Sequence, residues 1–101
     1  MKKALFLVAV SLIGATPAMA DLALATSKNC MSCHAVDRKV LGPSFKDVAA
    51  KYKDDKNAVD LMATKIMKGG SGVWGPVPMP ANNQVSEADA KKLAAWVLST
   101  K

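Results

Sequence analysis

The sequence predicts an all-α domain of about four helices, and three observations point there. Apolar residues recur at i, i+3, i+4 and i+7 in three segments, the spacing of one helical face. Start signals of the S-x-x-D kind, Ser44 with Asp47 and Ser86 with Asp89, stand ahead of two of them. No run reads as a convincing strand.

Residues 1–20 read as a leader rather than as part of that domain. Met1-Lys2-Lys3 is a positive start, Ala4 to Ala15 is apolar apart from Ser11 and Gly14, and Ala18-Met19-Ala20 is an A-x-A end. This is the pattern of a secretory signal peptide cut after Ala20. The alternative, a membrane anchor, needs a longer apolar run than this one. The expected mature domain is therefore residues 21–101, exported and without an anchor. Losing Lys2 and Lys3 lowers the formal charge from +6 to +4, with both signs interspersed along the chain. No concentrated basic stripe favours nucleic acid. A mild positive excess suits transient docking on an acidic protein surface.

Within the domain, the first helix is expected over 22–29, with Asp21 as its cap. The second covers 44–52, with Phe45, Val48, Ala49 and Tyr52 on one face. The third covers 57–68, with Val59, Met62, Ala63 and Ile66 inward. Gly69-Gly70 ends it, and Lys65 and Lys68 sit in the last turn, where cations favour the free carbonyls. The fourth covers 87–100, capped by Ser86, with Ala90, Leu93, Ala94 and Val97 inward and Trp96 beside them. Two long connections remain, 35–43 and 69–85. The second holds four of the six glycines and three of the five prolines. Helices this poor in large apolar residues do not fill their own interior, and small domains often lean on a cofactor.

Cys30-Met31-Ser32-Cys33-His34 supplies that cofactor's attachment signal. In C-x-x-C-H the two thiols add to the two vinyl groups of a porphyrin, and the adjacent histidine offers an imidazole nitrogen to the iron. His34 is the only histidine in the chain. Its second ring nitrogen needs an acceptor, for which the Gly42-Pro43 region is a candidate. A disulfide would close a tiny loop and constrain little. A thioredoxin-like dithiol wants a βαβ setting. A zinc site wants four ligands, and only three favoured side chains occur, crowded together.

With no second histidine, the soft sulfur of methionine is the natural sixth ligand. Met31 lies in the attachment turn, Met62 falls on a helix's inner stripe and Met67 at its margin. Met79 lies in Trp74-Gly75-Pro76-Val77-Pro78-Met79-Pro80, whose prolines stiffen the chain. Helical periodicity does not explain a methionine between prolines, so Met79 is the candidate ligand; an exposed loop methionine without a role is the alternative. Trp74 carries an indole N–H that a haem propionate would accept, and Lys65 is a candidate for the same propionate.

Together, Cys30 to His34, Gly42 to Ala49, Gly72 to Pro80 and Ala95 to Leu98 resemble the short bacterial class I c-type cytochromes of denitrifying and nitrifying bacteria. The resemblance implies a small class I cytochrome c fold: an all-α shell around one covalently bound haem, with the first and last helices crossing. It implies thioethers at Cys30 and Cys33, His34 and Met79 on the iron, and the Pro43 carbonyl accepting from His34. It further implies Trp74 and Lys65 at a propionate and Asn82 orienting the methionine. The implied role is that of a periplasmic single-electron carrier and not an enzyme. Its partners would be redox proteins with acidic docking surfaces, such as a membrane cytochrome complex or a periplasmic reductase or oxidase. A monomer is the default for such a carrier. The competing readings are a haem peroxidase or gas sensor with a displaceable Met79, and a thiol redox protein without haem.

Overall fold

The protein is described from a computed structural model covering residues 17–101, with side chains from Asp21 onward. Residues 1–16 of the expected leader lie outside the described residues. Among the described residues, four α-helices and one 3-10 turn make up the regular structure: α1 (Pro17–Ser27), the turn Cys30–Ser32, α2 (Phe45–Tyr52), α3 (Ala58–Lys68) and α4 (Glu87–Ser99).

Helix α1 departs from the sequence expectation at both ends. Residues 17–20 are already helical, so Asp21 lies inside the helix rather than at its cap; its Oδ1 is buried without a hydrogen-bond partner. Ala18-Met19-Ala20 are good helix formers, so in the full chain the helix runs upstream of Asp21. It stops at Ser27 because Asn29 takes φ 64°, the left-handed conformation that asparagine tolerates better than most residues.

The two serine caps hold. Ser44 accepts from the Asp47 N–H and Ser86 from the Asp89 N–H, both at 3.1 Å, and each opens its helix. Helix α3 is closed by Gly69 at φ 73°, whose N–H returns to the Lys65 carbonyl at 2.7 Å.

Helix α4 packs against α1, α2 and α3 and is the spine of the core. Its whole expected stripe is buried: Ala90, Leu93, Ala94, Trp96 and Val97. Phe45, Val48 and Ala49 are buried on α2, and Met62 and Ala63 on α3. Tyr52 and Ile66 are half-buried against this core, and one expected inward residue is exposed. Val59 is 38 % exposed, and Ala58 takes its place at 5 %. Both neighbours are apolar, so the pattern admits either. The small side chain lies inward in a helix whose partner, α4, also buries two alanines.

The connection 69–85 is tied down rather than free. Gly70 and Met79 form an isolated antiparallel bridge, with N–H to carbonyl distances of 3.0 and 2.7 Å. Asn82 N–H donates to the Met67 carbonyl at 3.2 Å, and its side-chain Nδ2 to that of Ile66 at 2.8 Å. The strap around Met79 is thus pinned on both sides to the end of α3.

Candidate haem site

The attachment motif is shaped by local hydrogen bonds. The Cys33 and His34 N–H groups both donate to the Cys30 carbonyl, at 3.2 and 3.1 Å, winding the motif into one tight turn. That turn is continued by the loop behind it: Gly42 N–H donates to the Cys33 carbonyl at 2.8 Å, and Phe45 N–H to that of Ala35 at 3.0 Å. Cys30 and Cys33 are free, half-buried thiols. Burial pushes the Cys30 thiol above its ordinary range, with a smaller push from Cys33 and an opposing backbone hydrogen bond.

His34 is held from three directions. Its Nδ1 lies 2.8 Å from the Pro43 carbonyl, so that nitrogen donates, which leaves Nε2 as the nitrogen with a free lone pair. One side of the ring meets the backbone of Gly42, where an added Cβ would stand 2.8 Å from Nδ1 and 3.0 Å from Nε2. Phe45 stacks on the ring, with centroids 5.2 Å apart and planes at 26°, and itself meets Trp96 edge-on at 5.3 Å.

These groups open onto one cavity of about 550 Å³. Leu41, Phe45, Val48, Ile66, Leu93 and Val97 give it an apolar lining. Cys30, Cys33 and His34 line it, and so do Pro43, Lys65, Trp74, Met79 and Asn82. Every residue singled out from the sequence therefore meets at a single site. Protein interiors rarely leave voids much larger than a water molecule. An apolar cavity of this size, with two thiols, an oriented imidazole and a thioether on its wall, fits a large flat iron porphyrin.

Two sequence-predicted residues have partners that the sequence did not indicate. Trp74 is 42 % exposed, and the Lys51 Nζ stands 5.6 Å from its ring centroid and 5.9 Å from that of Tyr52. Asn82 donates to α3 rather than standing free, and its Oδ1 accepts from Gln84 Nε2 at 3.2 Å. Lys51, Gln84 and the stacking role of Phe45 escaped the sequence reading. Only Phe45 carried a signal, as a core-facing helical residue.

Fold and site define a small all-α protein built around a covalently held haem. The chain matches the family model described as Cytochrome c over residues 22–101 and belongs to the cytochrome c family, as a small class I member with one haem c. It is 54 % identical to cytochrome c-552 of Hydrogenobacter thermophilus over 101 residues, the full length of both chains. It is 53 % identical to cytochrome c-552 of Nitrosomonas europaea over 93 residues, 92 % of this chain and 90 % of that one. The crystal structure of the wild-type Nitrosomonas europaea protein superposes with a TM-score of 0.78 at 54 % identity, covering 79 % of this chain and 99 % of that one. The class 1 cytochrome MtoD of Sideroxydans lithotrophicus ES-1 is similar at a TM-score of 0.68 and 32 % identity, over 80 % of this chain and 92 % of that one. Among the described residues no helix is long and apolar enough to cross a membrane.

Proposed function

We propose that the mature protein, residues 21–101, is a periplasmic single-electron carrier whose haem is bound through Cys30 and Cys33 and ligated by His34 and Met79. The observation that carries this reading is the pairing of an imidazole, fixed through Nδ1 to the Pro43 carbonyl, with a strap methionine lining the same cavity. The bound haem supplies a reversible one-electron couple, and a histidine–methionine ligand pair raises its potential. The chain does the rest. Gly42, Pro43 and Phe45 hold the imidazole in one orientation, which limits rearrangement when charge changes. The Gly70 bridge holds the Met79 backbone, so the sulfur is delivered at little further entropic cost. Apolar walls exclude water and favour the less charged state of the centre.

Leu41, Val73 and Val77 are 60, 47 and 61 % exposed at the cavity mouth, where Lys39 and Lys65 also line it. Apolar contact ringed by cations suits brief docking on an acidic redox protein, with lysine charge raising the encounter rate. Lys65 and Trp74 are assigned to a propionate. An enzymatic haem with an open face is less well supported, because no second imidazole exists for acid–base work and the Met79 strap is pinned.

Protein produced in a periplasm with the haem-attachment machinery is expected to show a c-type visible spectrum and, when oxidised, a near-infrared iron–sulfur charge-transfer band. Met79→Ala is expected to abolish that band. Colourless wild-type protein, or a band that persists in Met79→Ala, overturns the reading.

A further inference from the structure

We propose that Gln84 is a positioning residue for Met79, acting by fixing which way the side-chain amide of Asn82 faces. The proposal rests on the reading of Met79 as an iron ligand. Gln84 Nε2 donates twice, to the Asn82 Oδ1 and to the Lys28 carbonyl, each at 3.2 Å. An asparagine amide has one accepting and one donating end, and its partners decide which is which. With Oδ1 taken by Gln84, Nδ2 faces the Ile66 carbonyl, to which it donates at 2.8 Å. A flipped amide would set donor against donor at Gln84 and acceptor against acceptor at Ile66, so the Gln84 donation selects the orientation that binds α3.

That orientation matters because of where Asn82 lies. Met79 is three residues upstream, fixed on its other side by the Gly70 bridge. The two anchors, Gly70 and the Ile66 and Met67 carbonyls, sit at the end of the same helix and bracket the ligand segment. Gln84 joins this bracket to the end of the segment that precedes the attachment turn. Lys28 stands two residues before Cys30, and its Nζ returns a hydrogen bond to the Gln84 carbonyl at 3.3 Å. One glutamine thus couples the segment that carries the attachment cysteines to the segment that carries Met79. These contacts are solvent-exposed, so water competes with them and the net effect is that of a single ordinary hydrogen bond.

The test is an imidazole titration of oxidised holoprotein, followed by loss of the near-infrared iron–sulfur band, in wild type, Gln84→Ala and Gln84→Glu. Gln84→Glu keeps the side-chain length and the Lys28 Nζ bond to its own backbone carbonyl, but can donate neither to Asn82 nor to the Lys28 carbonyl. Both variants are expected to bind imidazole about fivefold more tightly than wild type, because the methionine-off state gains population when one net hydrogen bond is lost. If Gln84→Glu binds imidazole as wild type does, whatever Gln84→Ala does, amide donation is not the device and the proposal fails while the Met79 reading stands. If the wild type itself lacks the band, the ligand reading fails and takes this proposal with it. Should Gln84→Ala not accumulate as folded protein, Gln84→Glu decides alone.

Discussion

The imidazole of His34 rests against the backbone of Gly42, with no room between them for a methyl group: a Cβ there would stand 2.8 Å from Nδ1 and 3.0 Å from Nε2. Gly42→Ala must therefore push the ring or the loop, and the ring already has Phe45 and the Pro43 carbonyl as neighbours. Overpacking of this kind costs about 1–3 kcal/mol. In a domain of this size each kcal/mol lowers the melting temperature by about 4–8 °C. Thermal unfolding of the oxidised holoprotein, followed by circular dichroism, measures it. An unchanged midpoint would mean that the ring is not clamped from this side.

Phe45 supports the same imidazole from another direction and links it to Trp96 in the core. Phe45→Ala removes a residue only 5 % exposed. Truncations of buried aromatics cost about 3–5 kcal/mol. Phe45→Leu should recover most of that, because it restores volume without stacking. Denaturant unfolding of the three proteins checks the order, and a Phe45→Leu variant as unstable as Phe45→Ala would assign the loss to the aromatic contacts rather than to volume.

What the sequence disclosed follows from the range of each interaction. The serine caps at Ser44 and Ser86 were legible because each binds an N–H three residues on. The attachment turn was legible for the same reason. Helix α4 was read correctly because, Leu98 apart, its inward stripe has polar or small neighbours on its other faces. In helix α3 the bounds and the inward Met62 and Ala63 held, but Val59 was misplaced, since Ala58 and Val59 are both apolar and only the approach of α4 decides between them. Asp21 was expected as a cap, but in the full chain Ala18-Met19-Ala20 continue the helix ahead of it. The Pro43 acceptor for His34 was expected, but the Phe45 stack on its ring and the Gln84 latch depend on residues brought together by the fold, 56 positions apart for Gln84 and Lys28, and no local pattern announces them.

Lys51 offers a test of how Trp74 is held. Its Nζ lies 5.6 Å from the Trp74 ring centroid and 5.9 Å from that of Tyr52, so one cation joins the end of α2 to the loop that lines the cavity. Exposed cation–π contacts are worth about 0.5–1 kcal/mol. A double-mutant cycle of Lys51→Gln with Trp74→Leu should return a coupling energy of about that size, whereas independent sites add within about 0.3–0.5 kcal/mol. Strict additivity would make the lysine a solvated bystander.

Neighbouring glycines give the sharpest contrast. Gly69 takes φ 73°, and a Cβ on it would meet the Met79 carbonyl oxygen and stand 2.8 Å from the Pro80 carbonyl carbon and 2.9 Å from the Ala81 nitrogen. Gly69→Ala is therefore strained twice, by its own backbone and by the strap that it would displace. Gly70 is spared both: its added Cβ would find only the Lys65 Nζ, at 3.7 Å, an ordinary contact with the mobile end of a side chain. The Gly70 N–H and carbonyl still bridge to Met79 in an alanine variant. Gly69→Ala is expected to lose at least about 1 kcal/mol of stability and to weaken the iron–sulfur band, while Gly70→Ala stays within about 0.5 kcal/mol of wild type with its band intact. Thermal unfolding and near-infrared absorption on the same samples measure both. Equal behaviour of the two variants would show that the end of α3 does not set the position of the Met79 strap.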